Sequence, residues 1–185
     1  LKKANVDVAL FEGINAGDSD YSAVITKLKS AGADFVYYGG YHPEMGLLLR
    51  QAAEQGLKVR MMGPEGVGNP EINAIAGNAV EGMLVTLPAD PASKPENAAL
   101  VKAFKDKGRD ASGAFQMGAY TATQVLAQSI KAVGDDAEKV ADYLHKTAFN
   151  MPSGNVAWDA KGDLKAFDFP VYSWHKDGSK SVAEK

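Results

Sequence analysis

The chain has 185 residues, of which 45% are hydrophobic and 23% are charged, and its formal net charge is −3 at pH 7. Such a composition is typical of a globular protein with a buried core, and it lacks the lysine and arginine excess that a nucleic-acid partner requires. No stretch approaches the roughly 20 consecutive apolar residues of a membrane-spanning helix. Since the chain has no cysteine, thiol catalysis, disulfides and cysteine-ligated zinc are excluded within it.

The first residues have the pattern of an interrupted domain. Residues 1–5 favour the last turn of a helix, and a strand-like run over 6–11 follows at once. The chain opens with neither an initiator methionine nor a basic-then-apolar signal sequence. We therefore expect the chain to begin inside a domain, and the alternative is a mature N-terminus that starts on a short helix.

Residues 1–88 alternate between strand and helix patterns, which predicts a doubly wound α/β layer with a parallel sheet. Asp18, Ser19 and Asp20 offer N-cap side chains to the first helix, and Gly32 ends it. Further strands are predicted at 35–38, 58–62 and 82–87, with helices between Pro43 and Gly56 and over 70–76.

The pattern changes at three prolines in positions 88, 91 and 95, which favour a crossover between structural units. Helices are predicted over 95–107, from a cap at Ser112 through Phe115 to Val133, and from a capping box of Asp135 with Glu138. These helices have no strands of their own to cover their apolar faces, which indicates that a sheet is missing from this part.

The end of the chain has a β-like pattern. Runs at 154–158 and 167–175 predict a hairpin around the turn at 159–163, and Pro170 favours an edge position or a break in the second run. Residues 180–185 are predicted to form a loose tail.

Two loops at the carboxyl ends of predicted strands combine glycines with one distinctive side chain, where an open parallel sheet binds ligands. Glu65, within 63–68, would present a carboxylate to an ammonium group, a contact that contributes about 1.5–3 kcal/mol. Tyr41, after Gly39 and Gly40, offers a flat apolar wall with a polar rim. Alternatively, Glu65 is a solvated turn residue and Tyr41 packs beneath its own helix. Position and residue type alone favour this alternative.

The sequence brings together no catalytic or metal-binding set. His42, His145 and His175 belong to different predicted elements, and His42 with Glu44 lacks a third metal ligand. The glycine order of 63–68 differs from that of a dinucleotide-binding turn, and the chain has neither a phosphate-binding loop motif nor a nucleophile elbow. We therefore expect no enzyme activity, no cofactor and no metal site.

Several long runs resemble the periplasmic leucine/isoleucine/valine-binding proteins of bacterial ABC transporters. The resemblance is collinear over essentially all of the chain, and it is carried by residues 34–46, 62–67, 110–115 and 158–165. It implies a type I periplasmic-binding-protein fold with three hinge crossovers. Residues 1–88 would form the doubly wound C-terminal lobe, 89–166 the helical part of an incomplete N-terminal lobe whose sheet lies upstream, and 167–185 a return to the C-terminal lobe.

The resemblance also implies site residues. Glu65 would take the ligand's ammonium group, Tyr41 would line the side-chain pocket, and Phe115 would approach the ligand from the second lobe. The family's carboxylate-binding segment would lie upstream of Leu1. We therefore expect the 185 residues alone to bind leucine weakly or not at all, and the helices between 95 and 147 to expose apolar faces.

The implied function is capture of a free branched-chain amino acid by hinge closure, without catalysis, in the periplasm. The partner would be the membrane permease of an ABC transporter, nucleic acid is not expected as a partner, and the full-length protein would be a monomer.

The alternative is an amino-acid-sensing domain of a receptor or regulator with the same fold. An amidase or dehydrogenase is a third hypothesis, which lacks a nucleophile or cofactor loop. The sequence does not rank leucine, isoleucine and valine.

Overall fold

The computed structural model describes residues 2–4, 6–111 and 115–183. The chain forms two compact units, one of Leu1–Leu87 with Pro170–Lys185 and the other of Pro88–Phe169. The assignment of the predicted segments to the lobes of a binding protein stays a prediction. In the part of the chain that is described, the helices are too short or too polar to cross a membrane.

Helices and short strands alternate along the chain. The helices are α1 (Ser22–Ser30), α2 (His42–Glu54), α3 (Ile72–Ala76), α4 (Ala98–Asp106), α5 (Gln116–Val133) and α6 (Ala137–Lys146). The strands are β1 (Phe35–Tyr37), β2 (Arg60–Gly63), β3 (Leu84–Thr86), β4 (Phe149–Met151), β5 (Gly154–Val156), β6 (Val171–Trp174) and β7 (Lys180–Val182). Single 3-10 turns cover Lys2–Ala4, Glu65–Val67, Gly77–Val80, Pro91–Ser93 and Pro95–Asn97.

The first unit is built on a five-stranded sheet in the order β1-β2-β3-β6-β7. The strands β1, β2 and β3 are parallel, whereas β6 runs antiparallel to β3 and β7 antiparallel to β6. The predicted α/β class is confirmed, and the sheet is mixed. The prediction of a loose tail is wrong for 180–182, because Ser181 and its neighbours pair with β6.

The predicted hairpin between 154–158 and 167–175 is also wrong. In the structure β5 pairs with β4 in the second unit, whereas β6 pairs with β3 and β7 in the first. The turn at 159–163 closes only an isolated bridge between Trp158 and Leu164. The apolar pattern identified β-forming residues, but it did not specify which strands pair.

The strand-like run at 6–11 forms no strand. Phe11 is 96% exposed, and Val6 and Val8 are also exposed. A strand requires a neighbour that accepts and donates its backbone hydrogen bonds, and none of the described residues pairs with this run. Its apolar composition alone therefore does not make it a strand.

The helix ends follow local capping chemistry. The N-cap of α1 is Tyr21, whose side chain forms no cap hydrogen bond, so the N-cap predicted at residues 18–20 is wrong. The carboxylate of Asp20, one residue earlier, accepts a hydrogen bond from the backbone N–H of Ser22 at 2.8 Å. Gly32 after α1 has a φ of 64°, which a residue without a Cβ adopts readily. At α6 the predicted cap Asp135 is wrong by one residue. Asp136 accepts from the N–H groups of Glu138 at 3.1 Å and Lys139 at 3.0 Å. The predicted cap Ser112 lies outside the described residues.

One face of the first sheet holds the core of that unit. Side chains of α1, α2 and α3 pack there with β2 and β3, and fully buried members include Ile25, Met45, Ile72, Val85 and Trp174. The indole N–H of Trp174 donates to the side-chain oxygen of Asn73, which ties β6 to α3. On β1 only Val36 packs against this core, whereas Phe35 and Tyr37 are exposed.

The second unit has a smaller core. Val125 of α5 packs with Phe149 and Met151 of β4, and partly buried residues of α6 and β5 surround them. Helix α4 has no buried residue, and Leu126 and Ile130 of α5 are about half exposed. The helices of this unit therefore expose apolar faces, as the sequence predicts.

A small polar cluster joins β6 to the segment before β3. His175 Nδ1 lies 3.0 Å from Glu81 Oε1, and Glu81 Oε2 accepts a hydrogen bond from the backbone N–H of Lys176 at 2.9 Å. The hydrogen bond with His175, followed by the one from the Lys176 backbone, holds the pKa of Glu81 below its ordinary value. This carboxylate therefore stabilises the fold in its ionised form, at pH values above the pKa that it has when unfolded.

We predict that Glu81→Gln lowers the melting temperature at pH 7 and that the difference from the parent chain shrinks as the pH falls below about 4.5, the ordinary pKa of glutamate. The parent loses the contribution when Glu81 is protonated, and the glutamine variant has none to lose. Thermal denaturation between pH 3 and pH 7 measures the effect. The control is Glu54→Gln, because the exposed Glu54 carboxylate makes only a long ion pair with Arg50, at 3.9 Å. Parallel curves for Glu81→Gln and the parent would contradict the prediction.

Candidate functional site

Glu65 lies directly beyond the carboxyl end of β2. Pro64 separates it from the strand, and Glu65 begins the 3-10 turn that the N–H of Gly68 closes by donating to the Glu65 carbonyl at 2.8 Å. Val67 in the same turn is fully buried and anchors it to the core. The Glu65 side chain is half-buried, and no described residue forms a hydrogen bond or ion pair with its carboxylate.

Tyr41 lies beyond the carboxyl end of the neighbouring strand, β1. Its extended backbone, with φ −114° and ψ 169°, leads into α2, and its carbonyl accepts a hydrogen bond from the N–H of Met45 at 3.2 Å. The side chain is 70% exposed, so the ring does not pack beneath its own helix. The ring is therefore accessible to a guest molecule.

The two loops touch at Gly66. A Cβ on Gly66 would lie 2.8 Å from the carbonyl oxygen of Gly40 and 3.1 Å from Cδ1 of the Tyr41 ring. Tyr41 therefore lies against Gly66, the residue that follows Glu65, so the loops that carry the two predicted site residues are in contact. The parallel pairing of β1 with β2 accounts for this, because it brings the carboxyl ends of both strands to one edge of the sheet.

Tyr38, which packs against the loop of Tyr41, was not predicted from the sequence as part of the site. The phenol of Tyr38 lies against Gly40, where any Cβ would collide with its ring. Burial, followed by the negative charge of Glu44, raises the pKa of Tyr38. Glu44 is buried in the first turn of α2 and accepts a hydrogen bond from the backbone N–H of Gly17 at 3.1 Å. Glu44 is therefore a structural residue that holds the loop over 15–20. The sequence around Glu44 does not predict that this loop approaches it.

Phe115 belongs to the second unit. It precedes the first residue of α5, its ring is 61% exposed, and its backbone N–H donates to the side chain of Gln116 at 3.2 Å. The three residues before it lie outside the described residues. The Phe115 ring is exposed, and a residue that contacts a ligand must be accessible. Its role as a ligand contact stays a prediction.

The histidines do not converge on a site. His42 lies 3.3 Å from Glu71, His145 Nδ1 lies 2.9 Å from the carbonyl of Asp159, and His175 contacts Glu81. Among the described residues no group of three or more His, Cys, Asp or Glu side chains is arranged to hold a metal ion. The first unit thus carries a carboxylate without a partner among the described residues on one loop, and an exposed aromatic ring on the loop that touches it.

Comparison with known proteins identifies the family of the chain. The family model described as periplasmic binding protein matches residues 1–179. The chain belongs to this family. A leucine-, isoleucine-, valine-, threonine- and alanine-binding protein of Pseudomonas aeruginosa is 57% identical over 182 residues, which are 98% of this chain and 49% of that protein. The Leu/Ile/Val-binding protein of Escherichia coli K12 is 47% identical over 184 residues, with 100% of this chain and 50% of that protein covered.

Solved structures of this periplasmic binding protein family are similar in fold. A leucine-binding protein from Thermotoga maritima superposes with a TM-score of 0.80 at 34% identity, covering 92% of this chain and 49% of that chain. A branched-chain amino acid binding protein from Streptococcus pneumoniae, in complex with isoleucine, has a TM-score of 0.77 at 20% identity, covers the same two shares, and supports the fold alone. The chain thus spans about half the length of the relatives that it matches.

We predict that Tyr38→Phe makes the protein less sensitive to alkaline pH. Because burial raises the pKa of Tyr38, the folded state retains a proton that the unfolded state loses above about pH 10, so folding weakens there as the pH rises. Removing the hydroxyl removes this contribution. Chemical denaturation at pH 8 and pH 10.5 measures it, and Tyr37→Phe, which alters an exposed neighbour on β1, is the control. Equal alkaline losses in both variants and the parent would contradict the prediction.

Proposed function

We propose that this chain forms part of a periplasmic substrate-binding protein that captures a branched-chain aliphatic amino acid for an ABC transporter, without chemical conversion. The observation that carries the proposal is the half-buried Glu65 carboxylate, without a partner among the described residues, on a loop that contacts the loop of the exposed Tyr41 ring. A partly desolvated carboxylate gains most from a cationic partner, and an α-ammonium group is a cation of suitable size.

The two side chains would divide the recognition of the amino acid. The charge-assisted hydrogen bond between Glu65 and the ammonium group would contribute about 1.5–3 kcal/mol. Burial of the aliphatic side chain against Tyr41 would contribute a further ~1.5–3 kcal/mol. Phe115 would be a further aromatic contact of the ligand. These groups would bind and orient a guest.

The names of the relatives support the class of ligand. The Pseudomonas aeruginosa and Escherichia coli proteins are named for binding leucine, isoleucine and valine, and the former also for threonine and alanine. Since the chain spans about half of their length, further contacts to the ligand carboxylate would come from residues beyond these 185. Closure of two lobes around the amino acid would then present the loaded, monomeric protein to a membrane permease.

We predict that Glu65→Gln weakens leucine binding at least tenfold, a loss of about 1.4 kcal/mol or more in binding free energy. The physical reason is that an amide cannot neutralise the buried ammonium group. Isothermal titration calorimetry with leucine at pH 7 measures the affinity, in the longest natural polypeptide that contains these 185 residues. Glutamine preserves the shape of the side chain, so the melting temperature should change little.

The matched control is Glu54→Gln, which removes an exposed carboxylate of the same unit. Leucine affinity within threefold of the parent in Glu65→Gln would remove the ammonium-binding role of Glu65, and no detectable leucine binding by the parent would remove the proposed function itself. The weak binding expected of the 185 residues alone is measured in the same way.

A further inference from the structure

Gly66 occupies the tightest contact in the candidate site. The position of its missing Cβ lies 2.8 Å from the backbone oxygen of Gly40 and 3.1 and 3.4 Å from two atoms of the Tyr41 ring. Real Cβ atoms do not approach other atoms to less than 3.0 Å, so any side chain at position 66 must displace the Gly40 backbone or the ring. Gly66 has no positive φ, so its backbone conformation does not account for glycine here.

Neither loop has room to retreat. On the side of Glu65, Val67 is fully buried, a Cβ on Gly63 would meet Val67 at 2.7 Å, and a Cβ on Gly68 would meet Leu87 at 2.5 Å. The turn is therefore packed against the core at both of its ends. Because the contact with Gly40 is to backbone, a rotamer change cannot relieve it.

The loop of Tyr41 is supported in a similar way. The phenol of Tyr38 fills the space against Gly40, and the N–H of Tyr38 donates to the carbonyl of Met62 on β2 at 2.9 Å. Gly40 is thus held between Tyr38 and Gly66. A methyl group at position 66 would therefore push the Gly40 backbone away, and with it the exposed ring of Tyr41, the next residue.

We infer that Gly66 is a positioning residue for specificity: its missing side chain sets the distance between the Glu65 carboxylate and the Tyr41 ring, and hence the size of aliphatic side chain that the site accepts. This inference rests on the proposed function. The ammonium contact is common to all amino acids, whereas the ring contacts only the side chain. Displacement of the ring therefore weakens the binding of an amino acid with a large side chain more than that of one with a small side chain. The ratio of the two affinities falls as a result.

The experiment compares leucine with alanine, which share the ammonium and carboxylate groups, in the longest natural polypeptide that contains these 185 residues. We expect Gly66→Ala to lower the leucine-to-alanine affinity ratio by about tenfold, as the loss of one well-packed aliphatic contact would. Gly39→Ala is the matched control, because a Cβ there meets nothing within 4 Å. It should leave the ratio and the melting temperature unchanged.

A double-mutant cycle tests whether Gly66 acts through the ring. In the Tyr41→Ala background, Gly66→Ala should change the ratio by less than about threefold, because the ring that it displaces is gone. Equal effects of Gly66→Ala in both backgrounds, or an unchanged ratio in Gly66→Ala alone, would overturn the inference.

A second variant covers the case in which Gly66→Ala does not fold. Tyr38→Leu removes the ring against Gly40 and should lower the same ratio, and an unchanged ratio in this variant would also overturn the inference. Failure of the proposed function is distinguishable, because the parent protein would then bind neither leucine nor alanine.

Discussion

The parallel pairing of β1 with β2 is the constraint on which the candidate site depends. It places Phe35 beside Arg60 and Tyr37 beside Met62, so the segments that follow the two strands leave the sheet at the same edge and in the same direction. The loops that follow must then pack against each other, and they do so through glycine at the point of contact. The loop of Tyr41 and the loop of Glu65 are in contact because their strands are neighbours.

The two glutamates near this edge show how the environment separates structure from function. Glu44 is buried and bonded to the N–H of Gly17, and it lies in the first turn of α2, where the helix dipole favours a negative charge. Glu65 is half-buried and has no such partner among the described residues. A satisfied carboxylate fixes a loop, whereas an unsatisfied one at a sheet edge keeps its capacity for a cationic guest.

The sequence predicts those features that depend on neighbouring residues. The range of α2, the end of α1 at Gly32 and the two glycine loops all follow from local spacing and backbone chemistry. Features that depend on distant residues were missed or wrong: the partners of β5 and β6, the pairing of β7, and the unpaired run at 6–11. The contact at Gly66 belongs to this second class, since glycine permits a close approach without specifying what approaches.

The energies of the two contacts proposed for the first unit are too small to retain an amino acid on their own. The proposed Glu65 and Tyr41 contacts would sum to about 3–6 kcal/mol, and 4.1 kcal/mol corresponds to a dissociation constant of about 1 mM. Association also costs at least ~4 kcal/mol in lost translational and rotational freedom, which offsets most of that sum. Tight capture therefore requires contacts from a second surface, made only when the ligand is already seated on the first. A binding protein that divides its contacts in this way closes fully only around a guest, which is the state that a transporter must recognise.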